Sequence, residues 1–449
     1  MITGPKAPLI AFYGDDFTGS TDVMEALTMA GVDTVLFLGP PTSEDLARFP
    51  SARGIGVAGV ARTMSPEQMD AQLPMIFRSL RATGAPLFHY KICSTFDSSP
   101  EIGSIGRGLD IARREFETDM VPMVVGAPAL RRYQVFGNLY AAVDGVTHRL
   151  DRHPTMTRHP ITPMGEADIR LHLARQTSAT IALIDRLTLA EGPAAVDRHI
   201  GAEESENADV ILFDVLDDSD LIEIGRVISR AAETSAATVV AVGSSGVEYA
   251  LDAHWRAHPP AEHTPFTPVY APRRQTLAVS GSRAPASDAQ VAYALHNGFA
   301  SVFADPSALT GSSSGVDELV ARALAVLETG ADAVVHTPPK ADRAVDADRL
   351  GLALGEATRR IVHGAGIRRL VVAGGDTSGR VARALEIIAL RMIAPAAPGA
   401  PLCRATSEVP LIDGLEIALK GGQVGPPDYF VSIARLDGDE DVTITTPKS

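Results

Sequence analysis

The sequence has only two cysteines, Cys93 and Cys403, and most of the chain separates them. Neither a disulfide framework nor the ligand spacing of a zinc site is indicated, so a reducing, cytoplasmic location is predicted. Positive charge is also scarce: 40 Lys and Arg stand against 55 Asp and Glu, which gives a formal net charge of −15. Because such a field repels nucleic-acid phosphates and anionic membrane surfaces, neither is expected as a partner.

Long hydrophobic runs are absent as well. No stretch reaches the roughly 18 uninterrupted apolar residues of a membrane span, and Met1 to Pro8 lacks the apolar core of a secretion signal. The chain does have 449 residues, 45% of them apolar and 21% charged, which is the composition of a soluble globular protein. A single hydrophobic core stops growing at about 250 to 300 residues, so two domains are predicted.

Short apolar runs that end in Gly, Asp or Ser recur along the chain, with helical patterns between several of them. Each run predicts a buried strand, and the alternation of strand and helix predicts an α/β fold with mostly parallel sheets. The runs are Leu9 to Tyr13, Thr34 to Leu38, Ile55 to Val60, Leu87 to Tyr90, Val121 to Val125, Thr180 to Ile184, Val210 to Phe213, Thr238 to Val242, Thr276 to Val279, Ser301 to Phe303, Ala333 to Val335 and Arg369 to Ala373.

One segment interrupts this alternation of strands and helices, and it marks the predicted domain boundary. Residues 254–274 contain five prolines and little apolar periodicity, which is typical of a linker. The sequence therefore predicts an N-terminal domain over residues 1–253 and a C-terminal domain over residues 275–449. A second proline-rich patch, Pro395 to Pro401, is interpreted as a loop within the C-terminal domain.

The first predicted strand leads into Gly14, Asp15 and Asp16, and a helix follows. Ligands of α/β proteins bind at such strand-to-helix junctions on the carboxyl edge of a parallel sheet. Two adjacent carboxylates could hold a substrate hydroxyl, accept its proton or bind magnesium. The alternative is that both residues only cap the turn and the start of the helix.

The strand Leu87 to Tyr90 delivers Lys91, Ile92, Cys93 and Ser94 to the same predicted edge. An ammonium group beside a run of hydroxyls is suited to a sugar acid, because it can bind the carboxylate while the hydroxyls bind the polyol. Arg62, after another predicted strand, is a further candidate cation. The alternatives are a solvated lysine before a serine-rich loop and, for Cys93, a packed thiol rather than a nucleophile.

The C-terminal half carries a glycine-rich turn between a strand and a helix, formed by Gly374, Gly375, Asp376 and Thr377. Glycines let backbone amides approach a phosphate, and the helix N-terminus adds partial positive charge. The spacing is neither that of a P-loop nor that of the dinucleotide fingerprint. A tight helix-entry turn without a ligand is the alternative. Similar turns are Ser280 to Ser282, Gly243 to Gly246 and Lys420 to Gly425.

Taken together, these segments resemble the four-carbon acid sugar kinase family, whose members phosphorylate tetronates and 3-oxo-tetronates. The resemblance spans nearly the whole chain in six ordered motifs. They are GDDFTGSTD from Gly14, YKICSTFDSS from Tyr90, HPITPM from His159, SGSRAP from Ser280, GGDTSG from Gly374 and LKGGQVG from Leu419. Several ordered motifs are more specific than any one of them.

The resemblance implies a sugar-acid-binding N-terminal domain, a nucleotide-binding C-terminal domain and an active site in the cleft between them. ATP and Mg²⁺ would be the cofactors, and a terminal hydroxyl of a small sugar acid would be phosphorylated. Asp16 is favoured over Asp15 as the base. The implied substrate-binding residues are Arg62, Lys91, Ile92, Cys93 and Ser94, and the implied nucleotide-binding residues are Ser280, Ser282, Gly374, Gly375, Asp376, Thr377, Gly421 and Gly422.

The chain departs from the family pattern at Gln423 and Val424 and in the segment from Ala127 to Gly137. The residues of its first two motifs resemble those of the branch that contains 3-oxo-isoapionate kinases. The substrate therefore stays open among three types: 3-oxo-tetronate, tetronate and 3-oxo-isoapionate. A homo-oligomer is left open. Two other functions are kept as alternatives: a sugar-acid dehydrogenase on a doubly wound domain, which the missing dinucleotide fingerprint disfavours, and a sugar-acid sensor without catalysis.

Overall fold

The computed structural model describes residues 7–260, 264–270, 272–311, 313–338 and 346–436. The chain divides into two compact units, Met1–Phe266 and Thr267–Lys448. The last helix of the first unit ends at Trp255, two residues inside the predicted linker, and the first strand of the second begins at Thr276. The predicted domain limits and the predicted cleft stay predictions.

In the described part of the first unit, strands and helices alternate along most of the chain. The strands are β1 Ile10–Gly14, β2 Thr34–Phe37, β3 Gly54–Ala58, β4 Leu87–Lys91, β5 Val121–Val124, β6 Arg132–Val135, β7 Asn138–Val143, β8 Val146–Arg149, β9 Ile181–Ile184, β10 Val210–Phe213 and β11 Val239–Gly243. The helices are α1 Phe17–Met29, α2 Ser43–Ala47, α3 Pro66–Arg81, α4 Ile105–Phe116, α5 Ile169–Leu173, α6 Arg186–Ala190, α7 Pro193–Ser205, α8 Asp218–Thr234 and α9 Gly246–Trp255, with single 3₁₀ turns at Ala61–Thr63, Pro128–Leu130, Leu150–Arg152 and Met156–Arg158.

Eight of these strands form a sheet in the order β2-β3-β1-β4-β11-β5-β10-β9, and every pairing within it is parallel. All residues of β1, β3 and β4 are buried, as expected for strands covered on both faces. From β1 the chain moves towards β2, and from β4 it moves the opposite way towards β5. Neighbouring strands that lead in opposite directions form a topological switch point, where ligands of open α/β sheets bind. The switch point lies at the carboxyl ends of β1 and β4.

The second unit also contains a parallel sheet, and two antiparallel strands are added at one edge. Its sheet has the order β13-β14-β12-β15-β18-β17-β16, parallel from β13 to β18 and antiparallel from β18 to β16. Its switch point lies between β12 and β15. Its described elements are β12 Thr276–Ser280, α10 Pro285–His296, β13 Ala300–Phe303, α11 Pro306–Gly311, α12 Ser313–Leu327, β14 Ala333–His336, α13 Ala347–Ala365, β15 Arg369–Ala373, α14 Gly375–Ala384, β16 Ile387–Ala397, β17 Ala400–Ser407, β18 Glu416–Lys420 and α15 Tyr429–Arg435.

The predicted fold class, two α/β domains with mostly parallel sheets, is confirmed. The prediction of a loop at the second proline patch is wrong, because Pro395 lies in β16 and Pro401 in β17, and the chain turns at Gly399 with φ +76°. Proline is tolerated there because the pairing of β16 with β17 is irregular near Ala394 and Ala397.

Candidate active site

The carboxyl ends of β1 and β4 bring together residues that are far apart in sequence. Gly14 lies opposite Lys91 in the parallel register, and the amide of Asp15 donates to the Lys91 carbonyl at 2.9 Å. The turn after β3 joins them, because the amide of Arg62 donates to the Asp15 carbonyl at 3.0 Å. The structure therefore places Asp15, Arg62 and Lys91 at one edge of the sheet, as predicted.

Arg62 forms a three-pronged contact with both aspartates. Its Nη2 and Nε donate to Asp15 Oδ1 and Oδ2 at 2.7 and 3.2 Å, and its Nη1 donates to Asp16 Oδ2 at 2.9 Å. The Asp15 side chain is 3% exposed and that of Asp16 is 29% exposed. A ligand can therefore reach Asp16, whereas the buried Asp15 holds the Arg62 guanidinium in place.

Burial governs the electrostatics of this cluster. Removal from water raises the pKa of the Asp15 carboxyl, and the Arg62 charge opposes that rise. Burial alone would lower the pKa of Arg62, but the charges of Asp15 and its neighbours, together with the hydrogen bond to Asp15, outweigh it, and the pKa lies well above its ordinary value. Arg62 stays a cation across the physiological range.

Asp16 is both a helix cap and an open carboxylate. It is the N-cap residue of α1, and its Oδ1 accepts from the Gly19 amide at 2.8 Å. A Cβ at Gly19 would lie 2.6 Å from that oxygen, so a side chain there would displace the carboxylate. The capping interpretation and the catalytic interpretation are thus compatible, because the cap fixes the position of a group that stays accessible.

Lys91 is not the solvated lysine of the alternative interpretation, because its side chain is only 4% exposed. Its Nζ donates to the Ile92 carbonyl at 3.2 Å and lies 3.8 Å from Asp22 Oδ2. The hydroxyl of Ser245, in the turn after β11, donates to the same Asp22 oxygen. Sequence reasoning missed Asp22, although the Gly/Ser turn that contains Ser245 gave a signal.

The segment after Lys91 turns back on itself through side-chain hydrogen bonds. The Cys93 sulfur lies 2.9 Å from the Thr95 hydroxyl, which donates to Asp97 at 2.8 Å. Burial and the nearby Asp97 raise the pKa of the Cys93 thiol to about 11, so it stays protonated near neutrality and suits the packed-thiol interpretation. Ile92 is fully buried, whereas Ser94 is partly exposed and its hydroxyl has no hydrogen-bond partner among the described residues.

Behind the site, His89 and Glu248 form a fully buried pair. His89 Nδ1 lies 2.5 Å from Glu248 Oε1, and Nε2 lies 3.2 Å from the Gly243 carbonyl. A carbonyl can only accept, so Nε2 carries a proton and a second proton lies between Nδ1 and the carboxyl group. Gly243 also accepts the Ile92 amide at 2.8 Å. The pair thus fastens α9 to β4, and the Gly243 carbonyl ties the end of β11 to the same strand.

We expect Glu248→Leu to lower the free energy of unfolding by about 3 to 5 kcal/mol, because it leaves a buried polar partner uncompensated. Denaturant unfolding measures the loss. Adding His89→Leu to this variant should recover part of it, since both partners are then apolar. A loss below about 1 kcal/mol in the single variant would contradict a stabilising contribution of the His89–Glu248 pair.

In the second unit, three turns meet at the carboxyl ends of β12, β15 and β18. Ser280 lies opposite Ala373, and Ala373 lies opposite Lys420. The Gly374 amide donates to the Lys420 carbonyl at 2.9 Å, and the Gly281 amide donates to the Ala373 carbonyl at 3.2 Å. Three separate motifs of the sequence thus form one surface.

The turns approach so closely that a side chain at several glycine positions would displace a neighbouring group. A Cβ at Gly281 would lie 2.4 Å from the Thr377 hydroxyl, and one at Gly422 would lie 2.4 Å from the Ser282 hydroxyl. Gly374 has φ +114°, a conformation that other residues rarely adopt. The left-handed residue is therefore Gly374 rather than Gly375.

The helix that follows this turn begins without a side-chain cap. Gly374 occupies the N-cap position of α14, so no side chain accepts the amides of the first turn. Those amides carry the partial positive charge of a ten-residue helix. Asp376 is exposed in the same turn, whereas Ser280 is buried at the end of β12. The arrangement can bind phosphate through backbone amides.

Lys420, which the sequence analysis named only as the first residue of a glycine-containing turn, lies buried beneath the third turn. Its Nζ donates to the carbonyls of Gly421 and Gly422 at 2.9 and 3.5 Å and to the Ser287 hydroxyl at 3.3 Å. Because peptide groups are planar and trans, these carbonyls turn the amides of Gly422 and Gln423 away from the ammonium. Lys420 therefore orients the amides of the turn.

Burial lowers the pKa of Lys420 to about 8, while the unfolded lysine keeps its ordinary value near 10.5. Between these values the unfolded chain binds the additional proton, so stability rises with pH. We expect the stability of the native protein relative to Lys420→Met to increase by about 3 kcal/mol from pH 8 to pH 10.5. Urea unfolding at several pH values tests this. Parallel pH profiles for the two proteins would show that folding does not lower the pKa of Lys420.

Within the described ranges, no group of three or more His, Cys, Asp or Glu side chains is arranged to hold a metal ion. Nor does any helix in that part of the chain have the length and apolar character needed to cross a bilayer.

Comparison with known proteins decides the family. Residues 10–251 match the sugar-binding N-terminal domain, and residues 277–430 match the nucleotide-binding C-terminal domain. A 3-oxo-isoapionate kinase from Paraburkholderia graminis is 48% identical, with 97% of this chain and 96% of that protein covered. The chain belongs to the four-carbon acid sugar kinase family.

More distant relatives of this four-carbon acid sugar kinase agree. A 3-oxo-tetronate kinase from Burkholderia multivorans is 32% identical, covering 98% of this chain and all of that protein. A 3-oxo-tetronate kinase from Cupriavidus necator is 30% identical, with 96% of this chain and 98% of that protein covered. A crystal structure from Salmonella typhimurium LT2 has the same fold, with a TM-score of 0.79 at 24% identity and coverage of 95% of this chain and 98% of that one.

The predictions of a kinase and of the family are confirmed. The dehydrogenase and sensor alternatives are not favoured. The use of ATP follows from the kinase class, and a small sugar acid is the kind of partner on which its relatives act. The roles of individual site residues stay predictions.

Proposed function

We propose that this kinase transfers the γ-phosphoryl group of ATP to a terminal hydroxyl of 3-oxo-isoapionate. The observation that carries the choice of substrate is the 48% identity to the 3-oxo-isoapionate kinase across nearly the whole chain, against 30 to 32% to the 3-oxo-tetronate kinases of Cupriavidus necator and Burkholderia multivorans. A 3-oxo-tetronate is the second candidate, because its kinases match over the same length of chain.

In this proposal, the sugar acid binds where β1 and β4 end. Asp16 accepts the proton of the attacking hydroxyl, since it is the accessible carboxylate of the pair and its cap bond to Gly19 fixes its position. Asp15 holds Arg62, which steadies the Asp16 carboxylate from one side. Ser94 supplies a hydroxyl for the polyol. Lys91 contributes positive charge at the same edge.

The triphosphate binds to the turns of the second unit. The first-turn amides of α14, at Gly375, Asp376 and Thr377, face the phosphates together with the turn after β18. Lys420 keeps the amides of that turn oriented from beneath. Binding by amides favours negative charge without requiring a Walker lysine, which agrees with the absence of a P-loop.

Magnesium fits this site through Asp376. Mg²⁺ in kinases is commonly held by one or two carboxylates together with phosphate oxygens and water, so a cluster of three acidic groups is not required. Asp376 is exposed beside the proposed phosphate cradle. The ion would neutralise charge on the phosphates when bound.

The proposal is tested by measuring ADP release with ATP, Mg²⁺ and a panel of acceptors. The panel contains 3-oxo-isoapionate, 3-oxo-tetronates and D-threonate and D-erythronate. We expect the highest kcat/KM for 3-oxo-isoapionate. A higher value for a 3-oxo-tetronate would move the assignment to the second candidate, and no ADP release with any acid would refute a sugar-acid substrate.

A further inference from the structure

The three-stranded sheet β6-β7-β8 is an antiparallel insertion that begins where β5 ends, on the same edge as the candidate active site. Helix α5 connects it to the segment that follows Lys91. The Ile169 amide at the start of α5 donates to the Gly137 carbonyl beside β7 at 2.9 Å. In the same helix, His172 Nε2 lies 3.0 Å from the Ser98 hydroxyl. The insertion is therefore linked to the chain just after the predicted substrate residues Lys91 to Ser94.

Arg132, the first residue of β6, has an unusual environment within this insertion. Its Nη1 donates to the carbonyls of Leu130, Arg131 and Ala142 at 3.1, 3.3 and 3.4 Å. Its Nε is buried and has no hydrogen-bond partner among the described residues. In that part of the chain no carboxylate forms an ion pair with it. The guanidinium is thus fixed at one end, and its charge is not neutralised by direct contact.

Arg132 lies near the substrate segment. Its backbone pairs with Ala127, just beyond the end of β5 and at the edge of the sheet that carries the candidate site. Its guanidinium is within electrostatic reach of Cys93 and Asp97, and burial, the largest effect, lowers its pKa. Cys93 also lies within the electrostatic reach of Arg62. Both arginines are therefore near Cys93.

The charges of the other two cations at this edge are already matched by acids. Arg62 is bound by two carboxylates, and Lys91 lies 3.8 Å from that of Asp22. Arg132 differs, because Nη1 makes all of its side-chain hydrogen bonds to the described residues, which leaves Nε and Nη2 without a partner among them. These two form the fork that binds a carboxylate through parallel hydrogen bonds.

We propose that Arg132 binds the carboxylate of the sugar acid and selects acids over uncharged sugars. This inference rests on the proposed function, since it assigns a recognition residue to that substrate. It moves the main carboxylate contact from Arg62 and Lys91, which the sequence favoured, to the inserted sheet.

Steady-state kinetics of Arg132→Met test the inference with two acceptors, 3-oxo-isoapionate and its carboxamide, which keeps every hydroxyl and loses only the charge. We expect the KM for the acid to rise about 10- to 100-fold, the scale for loss of a charged hydrogen-bond partner. The KM for ATP and the kinetics with the carboxamide should stay unchanged. Arg132→Lys should recover part of the affinity for the acid.

Arg131→Met is the matched control, because Arg131 is the exposed neighbour and its Nη2 donates to the Gly145 carbonyl. It should leave both KM values unchanged. An unchanged KM for the acid in Arg132→Met, or equal losses with acid and carboxamide, would overturn the inference. If Arg132→Met does not fold, Arg132→Lys with the same two acceptors decides. A native enzyme that accepts no sugar acid would instead refute the proposed function.

Discussion

Asp16→Asn should lower kcat about 100-fold or more, the scale of general base catalysis, while ADP binding stays unchanged. Asparagine caps helices as well as aspartate does, so α1 should begin at the same residue and the bond from the Gly19 amide should persist. Only the negative charge and the proton-accepting capacity are removed. Single-turnover phosphorylation with saturating ATP measures the effect, and calorimetric titration with ADP shows that the second unit is intact.

Asp45→Asn provides the control for this prediction. Asp45 belongs to the capping box at the start of α2, where its carboxylate accepts the Thr42 amide, outside the candidate site. We expect near-native turnover from this variant. Near-native turnover from Asp16→Asn as well would reduce Asp16 to a structural cap.

Gly375→Val should weaken ADP binding at least about 100-fold, because a branched side chain at the first residue of α14 would stand between the amides and the phosphates. Gly375 has no left-handed φ and is exposed, so valine fits the local backbone and the variant should fold. Calorimetry with ADP on the full-length protein measures the loss. The KM for the sugar acid, determined from residual activity, should change little.

Gly379→Val is the matched control in the same motif. A Cβ there would meet no atom within 4 Å, and the residue lies on the same helix one turn later. This variant should bind ADP like the native protein. Equal losses in both variants would point to a weakened helix, and undiminished binding by Gly375→Val would remove the turn from the nucleotide site.

The contrast between Gly374 and Gly375 shows how much of the structure of this turn the sequence predicts. The sequence indicates a glycine-rich phosphate turn, because glycines let backbone amides at a helix N-terminus approach a phosphate. It does not say which glycine adopts the left-handed conformation. That depends on the Lys420 carbonyl, which accepts the Gly374 amide from a strand about 45 residues later.

The inserted sheet β6-β7-β8 was missed for a different reason. Its strands are short and only partly buried, so they show neither a continuous apolar run nor a clear alternation. Arg132 therefore looked like one of many surface arginines. Its significance emerged only from the carbonyls and charges that the folded chain places around it.

By itself the sequence determined the fold class, most parallel strands and the family, and it predicted the two groups of turns that are proposed to bind ligands. These depend on local apolar runs and on motifs whose residues are neighbours in the chain. Only the tertiary structure decided that Arg62 is bound by Asp15 and Asp16, that His89 pairs with Glu248 and that Lys420 is buried. Each of these depends on strand order, because parallel strands place residues in contact that lie 46 to 159 positions apart in sequence.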